Sequence, residues 1–116
     1  MERRELERRL EIGRLLDFYG PLITAHRREI ARMYCEEDMS LAEIAQVMTD
    51  SGQPVTRQGV YDAVIKAERQ LVDYEKKLGL IKRHDRMIAE AKACLDALET
   101  GGLDAAKEAL RKMTEL

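Results

Sequence analysis

Apolar residues recur at helical spacing along this chain, and turn-forming residues separate the repeats. Val60, Val64 and Leu71, for example, fall on one face of a helix. Glycine and proline interrupt the pattern near Gly20-Pro21, Gly52-Pro54, Gly79 and Gly101-Gly102. The pattern predicts helices over 2–19, 25–36, 41–48, 57–77, 82–99 and from 104 onward. We therefore expect an all-α protein with five or six helices and no sheet.

The third and fourth predicted helices form a helix-turn-helix. Ser40 is a suitable N-cap, and Glu43 stands three residues later, where its side chain completes a capping box. The turn-rich segment 50–54 stops the first helix of the pair, and Thr56 caps the second. In proteins that read DNA, the second helix of such a pair lies in the major groove. Nucleic acid is therefore the first partner to consider, although many helix pairs of this kind are only structural.

The apolar positions of the first four helices predict one shared core. Its expected members are Leu15, Phe18, Leu22, Ile30, Tyr34, Leu41, Ile44, Val60, Val64 and Leu71. Phe18 and Tyr19 precede Gly20-Pro21, so we interpret them as a structural hinge. Thr24 is expected to cap the second helix.

The composition narrows the fold class and the possible partners. Charged residues make up 36% of the chain and aromatic residues only 4%, which is typical of an all-helical protein with solvated charged faces. The formal net charge is −2, so the chain lacks the global basic field that drives strong nonspecific binding to nucleic acid. Any such binding must come from a local patch.

The two cysteines and the first residues bear on location. Cys35 and Cys94 have no CxxC partner, which favours reduced thiols in a cytoplasmic protein. The opening Met-Glu-Arg-Arg-Glu is unlike a secretory signal. No apolar run approaches the length of a membrane span, so we expect no membrane partner.

The later helices carry more apolar positions than a small core needs. We expect a helix-turn-helix domain over 1–80 and a helical extension over 81–116 that packs on it or on a second protomer. Heptad spacing favours a coiled-coil-like homodimer, whereas a short glycine turn favours an intramolecular antiparallel pair. The expected dimer interface consists of Leu71, Val72, Leu78, Ile81, Ile88 and Leu95.

Four ordered segments resemble the YlxM family of small bacterial proteins. They are Leu-Leu-Asp-Phe-Tyr-Gly-Pro-Leu at 15–22, Asp-Met-Ser-Leu-Ala-Glu-Ile-Ala at 38–45, Thr-Arg-Gln-Gly-Val-Tyr-Asp at 56–62 and Tyr-Glu-Lys-Lys-Leu-Gly-Leu at 74–80. The resemblance implies a helix-turn-helix similar to region 4 of bacterial sigma factors. It also implies an association with the signal recognition particle pathway and a regulatory, nucleic-acid-binding role. The turn at 49–56 is longer than the family's turn.

The second helix of the pair carries the candidate base-reading residues. Arg and Gln side chains have the geometry that reads guanine and adenine edges, and they occur where such helices meet DNA. Asp62 and Glu68 lie on the same helix and oppose a phosphate backbone. The candidate side chains of this helix therefore either contact nucleic acid directly or are ordinary solvated charges. The candidates on this helix are Arg57, Gln58, Tyr61, Lys66 and Arg69.

Two further basic groups precede the helix-turn-helix. Arg28 and Arg32 lie one helical turn apart and are candidates for contacts with the phosphate backbone. Ion pairs with neighbouring glutamates are the alternative. The tract at 2–9 alternates in charge sign, which predicts a solvated helix face.

The chain shows no pattern for catalysis or metal binding. His26 and His84 have no Cys or carboxylate at metal-ligand spacing, and no glycine-rich phosphate loop occurs. We expect no enzyme, no metal and no cofactor. Two functions remain: a regulatory protein that binds DNA or RNA, or a non-catalytic adaptor that binds a component of the targeting particle.

Overall fold

The computed structural model describes residues 2–116, and this part of the chain is all-helical without a strand. A 3-10 turn, Gly20–Leu22, follows the first helix. The six helices are α1 (Arg3–Tyr19), α2 (Ala25–Cys35), α3 (Leu41–Asp50), α4 (Arg57–Leu78), α5 (Leu80–Glu99) and α6 (Leu103–Thr114). The predicted fold class is therefore confirmed. The chain divides into two compact units, Met1–Leu78 and Gly79–Leu116.

Local capping interactions set the helix boundaries where the sequence predicted them. Ser40 and Glu43 form a capping box, with the Glu43 N–H donating to Ser40 Oγ at 3.1 Å and the Ser40 N–H donating to Glu43 Oε1 at 3.3 Å. Thr24 and Thr56 each accept from the backbone N–H three residues later, at 3.3 and 3.0 Å. Gly79 adopts φ 63°, a left-handed conformation that separates α4 from α5.

The core of the first unit lies where α1, α2, α3 and α4 pack together. The predicted positions Leu15, Ile30, Tyr34, Ile44, Val60, Val64 and Leu71 are all buried. Leu22 was wrongly predicted, because its side chain is 50% exposed at the end of the 3-10 turn and Ile23 is buried instead. Phe18 and Leu41 are only half-buried.

Tyr19 is one of the largest fully buried side chains of the first unit. Its ring stacks on Tyr74 with centroids 6.1 Å apart, and its hydroxyl donates to the Glu75 carboxylate. Tyr74 in turn donates from its hydroxyl to the Leu22 carbonyl at 3.2 Å. The 3-10 turn after α1 is thus held against the distal part of α4, which supports a structural role for this corner.

The second unit is a hairpin of α5 and α6 with a small core. That core consists of Cys94, Ala106 and Ala109, with Ala97 packed against it. Small side chains allow the two helices to approach closely, but they bury little apolar area. Seven larger apolar residues of this unit stay exposed, namely Leu80, Met87, Ile88, Leu95, Leu98, Leu103 and Leu110.

Candidate nucleic-acid interface

The turn between α3 and α4 is a folded connection rather than a loose loop. Thr49 Oγ1 accepts from the Val55 N–H and donates to the Val55 carbonyl, both at 3.4 Å. His26 Nδ1 and Gln53 Oε1 are 2.8 Å apart, so the turn is also tied to α2. A Cβ on Gly59 would lie 2.8 Å from Val55 Cγ2, which explains why a glycine occupies this first turn of α4. The turn at 49–56 therefore presents α4 in a defined position.

Helix α4 has one buried face and one outer face. Val60, Val64, Ala67 and Leu71 point into the core. At about 100° per residue, the opposite side of the helix carries Gln58, Asp62, Lys66 and Arg69, and all four are exposed. The structure thus brings three of the predicted contact residues together on one surface, which we call the outer face of α4.

Arg57 and Tyr61 lie on a flank of α4 rather than on its outer face. The helical angle places both between the outer and the buried faces. Tyr61 is 43% exposed and lines a cleft of about 350 Å³ together with Arg4, Arg8 and Tyr34. Both predicted contact residues are accessible, and Tyr61 points toward the side of α1.

The outer face of α4 carries charges of both signs. The Gln58 side-chain amide donates to the Asp62 carboxylate at 3.1 Å. Lys66 and Arg69, like Arg57, form no ion pair within the described part of the chain. A carboxylate here opposes phosphate but can accept a hydrogen bond from the cytosine N4 amino group, whereas glutamine suits adenine. The face can therefore contact base edges and a few phosphates, and its net charge is small.

Arg32 is engaged by carboxylates of its own neighbourhood. Its guanidinium donates to Glu29 at 2.6 Å and to Glu37 at 2.8 Å. Both hydrogen bonds raise the pKa of Arg32 above its ordinary value, and the bond to Glu29 contributes most. The hydrogen bond from Arg32 in turn lowers the pKa of Glu29. Arg28 is exposed and donates to the Ile23 carbonyl at 3.3 Å. Ion pairing, the alternative for this cluster, thus occupies Arg32, while Arg28 stays accessible.

The N-terminal tract contributes two arginines to the first unit that the sequence pattern missed. Arg8 donates to both carboxylate oxygens of Glu68 at 2.9 and 3.0 Å, which raises the pKa of Arg8. Arg9 is only 6% exposed. The prediction of a solvated face over 2–9 was therefore wrong for these residues. Glu68 lies 60 positions after Arg8, so no local pattern could have indicated the pair.

The predicted dimer residues fall into three groups. Leu71 has no exposed surface, because it is buried in the core of the first unit with Val64 and Ala67, so its assignment to the interface was wrong. Val72 and Ile81 are half-buried. Leu78, Ile88 and Leu95 are 54, 42 and 59% exposed and stay available to a partner.

Neither cysteine is paired, and no group of His, Cys, Asp and Glu side chains in residues 2–116 is arranged to hold a metal ion. Burial raises the pKa of the Cys35 thiol to about 12, so this group is a poor nucleophile at neutral pH. None of the described helices combines the length and apolar character that a bilayer crossing requires.

Comparison with known proteins identifies relatives over most of the chain. Residues 6–104 match the UPF0122 family, described as "Putative helix-turn-helix protein, YlxM / p13 like". A UPF0122 protein of Caldanaerobacter subterraneus subsp. tengcongensis is 46% identical over 84 residues, which cover 70% of this chain and 68% of that protein. One from Symbiobacterium thermophilum is 39% identical, covering 85% and 88% of the two chains, and one from Desulforamulus reducens is 37% identical, covering 90% and 92%. No solved structure matches the chain.

Proposed function

This chain belongs to the UPF0122 family of YlxM / p13-like proteins, and on that premise we propose that it is a non-catalytic regulatory protein that binds nucleic acid through α4. The observation that carries the proposal is the outer face of α4. Gln58, Lys66 and Arg69 are exposed together there, on the second helix of a capped helix-turn-helix. In helix-turn-helix proteins this helix enters the major groove.

The residues of the proposed interface divide into two roles. Gln58 lies near the start of α4, where side chains meet base edges, and it reads sequence, whereas the Asp62 carboxylate on the same face repels phosphate. Lys66 and Arg69 follow one and two turns later and neutralise phosphates. Arg28 is a further phosphate contact, whereas Arg32 is already satisfied by its glutamates. Arg57 and Tyr61 contact the nucleic acid only at the edge of the groove.

Substitution of Asp62 by Asn tests this interface directly. Removing a carboxylate about 4 Å from a phosphate relieves roughly 1 kcal/mol of repulsion in a water-like medium, which corresponds to about fivefold tighter binding. The measurement is fluorescence anisotropy with labelled duplex DNA and stem-loop RNA at low salt. Glu11→Gln removes the same charge from an exposed position of α1 and is the matched control. Equal affinities of both variants would remove Asp62 from the interface.

Two substitutions separate base reading from phosphate contact. Gln58→Ala should narrow the affinity difference between preferred and scrambled sequences, because it removes a group that bonds to base edges. Arg69→Ala should weaken binding to all sequences alike. If both variants bind every tested DNA and RNA like the wild type, α4 is not the reading helix.

The physiological target belongs to the signal recognition particle pathway in this proposal, and the protein acts in the cytoplasm. The support is the family resemblance of the segments at 15–22, 38–45, 56–62 and 74–80. Binding to the RNA of the particle should be compared with binding to genomic DNA fragments across a salt series. Equal weak binding to unrelated RNA, DNA and particle RNA would argue against this target.

A protein–protein adaptor is the second candidate, and the α5–α6 hairpin favours it. Large apolar side chains exposed beside each other commonly mark a protein interaction site. Leu95, Leu98 and Leu110 are each more than half exposed. Co-purification with a protein of the targeting particle that persists in Gln58→Ala and Arg69→Ala, together with no binding to nucleic acid, would favour the adaptor.

A homodimer is also part of the proposal. The hairpin core contains only small residues, so the larger apolar side chains of the hairpin stay exposed. Packing against a second hairpin would bury these side chains in both copies. Leu78, Ile88 and Leu95 are the accessible members of the expected interface. A dimer would present two α4 helices and double the number of phosphate contacts.

A further inference from the structure

Helix α5 carries its charges in the order that opposes its own dipole. Its first turn contains Lys82 and Arg83 and no acidic residue, and Arg86 follows one turn later. Its last turn contains no basic residue, whereas Asp96 and Glu99 lie near that end. Cations are destabilising near the positive N-terminal end of a helix, and anions are destabilising near its C-terminal end.

Neither neighbouring helix shows this reversal at both ends. Helix α6 has Asp104 in its first turn and two basic residues in its last turn. Helix α4 starts on Arg57 without an acidic residue in its first turn, but it has Lys76 and Lys77 in its last turn. Helix α2 also begins with basic residues and no acidic one, but its last turn contains Arg32. The reversal at both ends therefore distinguishes α5 from α2, α4 and α6. A local rule that is broken without a compensating gain in stability is expected at functional sites.

The cations at the start of α5 are accessible. Lys82, Arg83 and Arg86 are exposed, and neither arginine forms an ion pair among the described residues. Asp85 is the one acidic residue between positions 80 and 89, against Lys82, Arg83 and Arg86. Arg86 also lines a cleft with Lys112 and with the carboxylates of Glu90 and Glu115. Because these carboxylates lie near Arg86, the surplus of positive charge is greatest in the first turn, at Lys82 and Arg83.

We propose that Lys82, Arg83 and Arg86 form a second nucleic-acid contact, which binds the phosphate backbone without reading sequence. This proposal rests on the proposed function and adds to it the site that supplies most of the electrostatic attraction. The outer face of α4 cannot supply it, because Asp62 offsets one of its two cations, Lys66 and Arg69. Arginine side chains hold phosphates through two parallel N–H groups, and each neutralised phosphate releases counterions.

The surroundings of the three cations favour a phosphate backbone over an acidic protein. At about 100° per residue, Lys82 and Arg86 lie on the side of α5 opposite Ile88 and Leu95. The basic surface is therefore separate from the exposed apolar side chains of Ile88 and Leu95. Protein interfaces have an apolar centre, whereas binding of a nucleic-acid backbone is mainly electrostatic.

The test is the salt dependence of binding by the full chain. The variant is Arg83→Gln/Arg86→Gln, and the matched control is Lys92→Gln/Lys107→Gln, which removes two exposed cations from elsewhere in the same hairpin. The probes are a duplex DNA and a stem-loop RNA with single-stranded flanks. The magnitude of the slope of log K against log salt should decrease in the variant by roughly 1.8 on duplex DNA and by roughly 1.4 where single strands are bound. The slope of the control should equal that of the wild type. The two probes separate DNA from RNA as the source of the phosphates.

Three results would overturn the inference. A slope unchanged in the variant while the wild type binds would overturn this site alone and leave α4 as the proposed reader. No binding by the wild type to either probe at low salt would overturn the proposed function and this site with it. Polyglutamate should displace the probe less effectively than unlabelled nucleic acid of equal charge. Equal displacement by the two competitors would indicate an acidic protein partner.

A thermal melt excludes misfolding as the cause of lost binding. Neutralising Arg83 and Arg86 relieves the unfavourable interaction with the helix dipole. The variant should therefore melt at the same temperature as the wild type or higher, while binding more weakly. A lower melting temperature together with weaker binding would instead indicate a structural role for these arginines.

Discussion

Arg9 should be the charged residue whose loss most destabilises the first unit. Its guanidinium is almost fully buried and donates to the Tyr34 carbonyl and, at 3.3 Å, to the Met39 carbonyl. It also lies 3.9 Å from the centroid of the Tyr34 ring and bonds to Glu5 at 3.0 Å. One side chain thus joins α1, the end of α2 and the segment that leads into α3.

The size of the effect follows from which partners stay behind after Arg9→Ala. Glu5 and Asp38 are 44 and 69% exposed, so water solvates them once the arginine is gone. The two backbone carbonyls and the Tyr34 ring lose their partner. Breaking a buried charged contact costs about 3–5 kcal/mol, and the exposed carboxylates place this case near 3 kcal/mol. Arg9→Lys keeps the charge but loses the planar fork, so it should cost roughly half as much.

Tyrosine fluorescence during urea unfolding measures this cost within the first unit. The chain has four tyrosines and no tryptophan, and all four precede residue 79. With a slope near 1.5 kcal/mol per molar urea, a loss of about 3 kcal/mol moves the midpoint by roughly 2 M. Arg3→Ala is the control, because the Arg3 side chain is 92% exposed and its pair with Glu7 contributes less than about 1 kcal/mol. Similar midpoints for Arg9→Ala and Arg3→Ala would refute the reasoning.

Three further predictions concern packing, assembly and the thiols. Phe18→Ala should lower the free energy of unfolding by about 2 kcal/mol, below the range for a fully buried ring, because Phe18 is half-buried; an unchanged urea midpoint would show that the ring contributes no packing. Leu95→Glu places a charge in the proposed dimer interface, so it should shift the mass from dimer toward monomer in light scattering. Leu10→Glu, at an exposed position of the first unit, should leave the mass unchanged. A monomeric wild type at high micromolar concentration would contradict the dimer. In Cys94→Ser, the Cys35 thiol should react slowly with Ellman's reagent at pH 8, because burial raises its pKa from 9.0 to about 12. The stability that the protonated thiol provides is fully present below pH 9 and is lost as pH rises toward 12, since the unfolded chain ionises first; rapid labelling of the folded protein would contradict the burial.

The amino-acid sequence by itself determined the helices, their ends and the helix-turn-helix. The capping box of Ser40 and Glu43 and the cap at Thr56 depend on groups three residues apart, so their pattern is visible in the chain. The spacing of Val60 and Val64 likewise identifies the buried face of α4 from local geometry. These interactions close over a single helical turn, and tertiary packing left them in place.

Only the tertiary structure decided which charged and apolar residues became buried or paired. The bond of Arg8 to Glu68 and the burial of Arg9 on Tyr34 join positions 60 and 25 residues apart. The burial of Ile23 in place of its neighbour Leu22 depends on how the 3-10 turn enters the core. Such contacts depend on the relative placement of whole helices, and no short stretch of sequence encodes that placement.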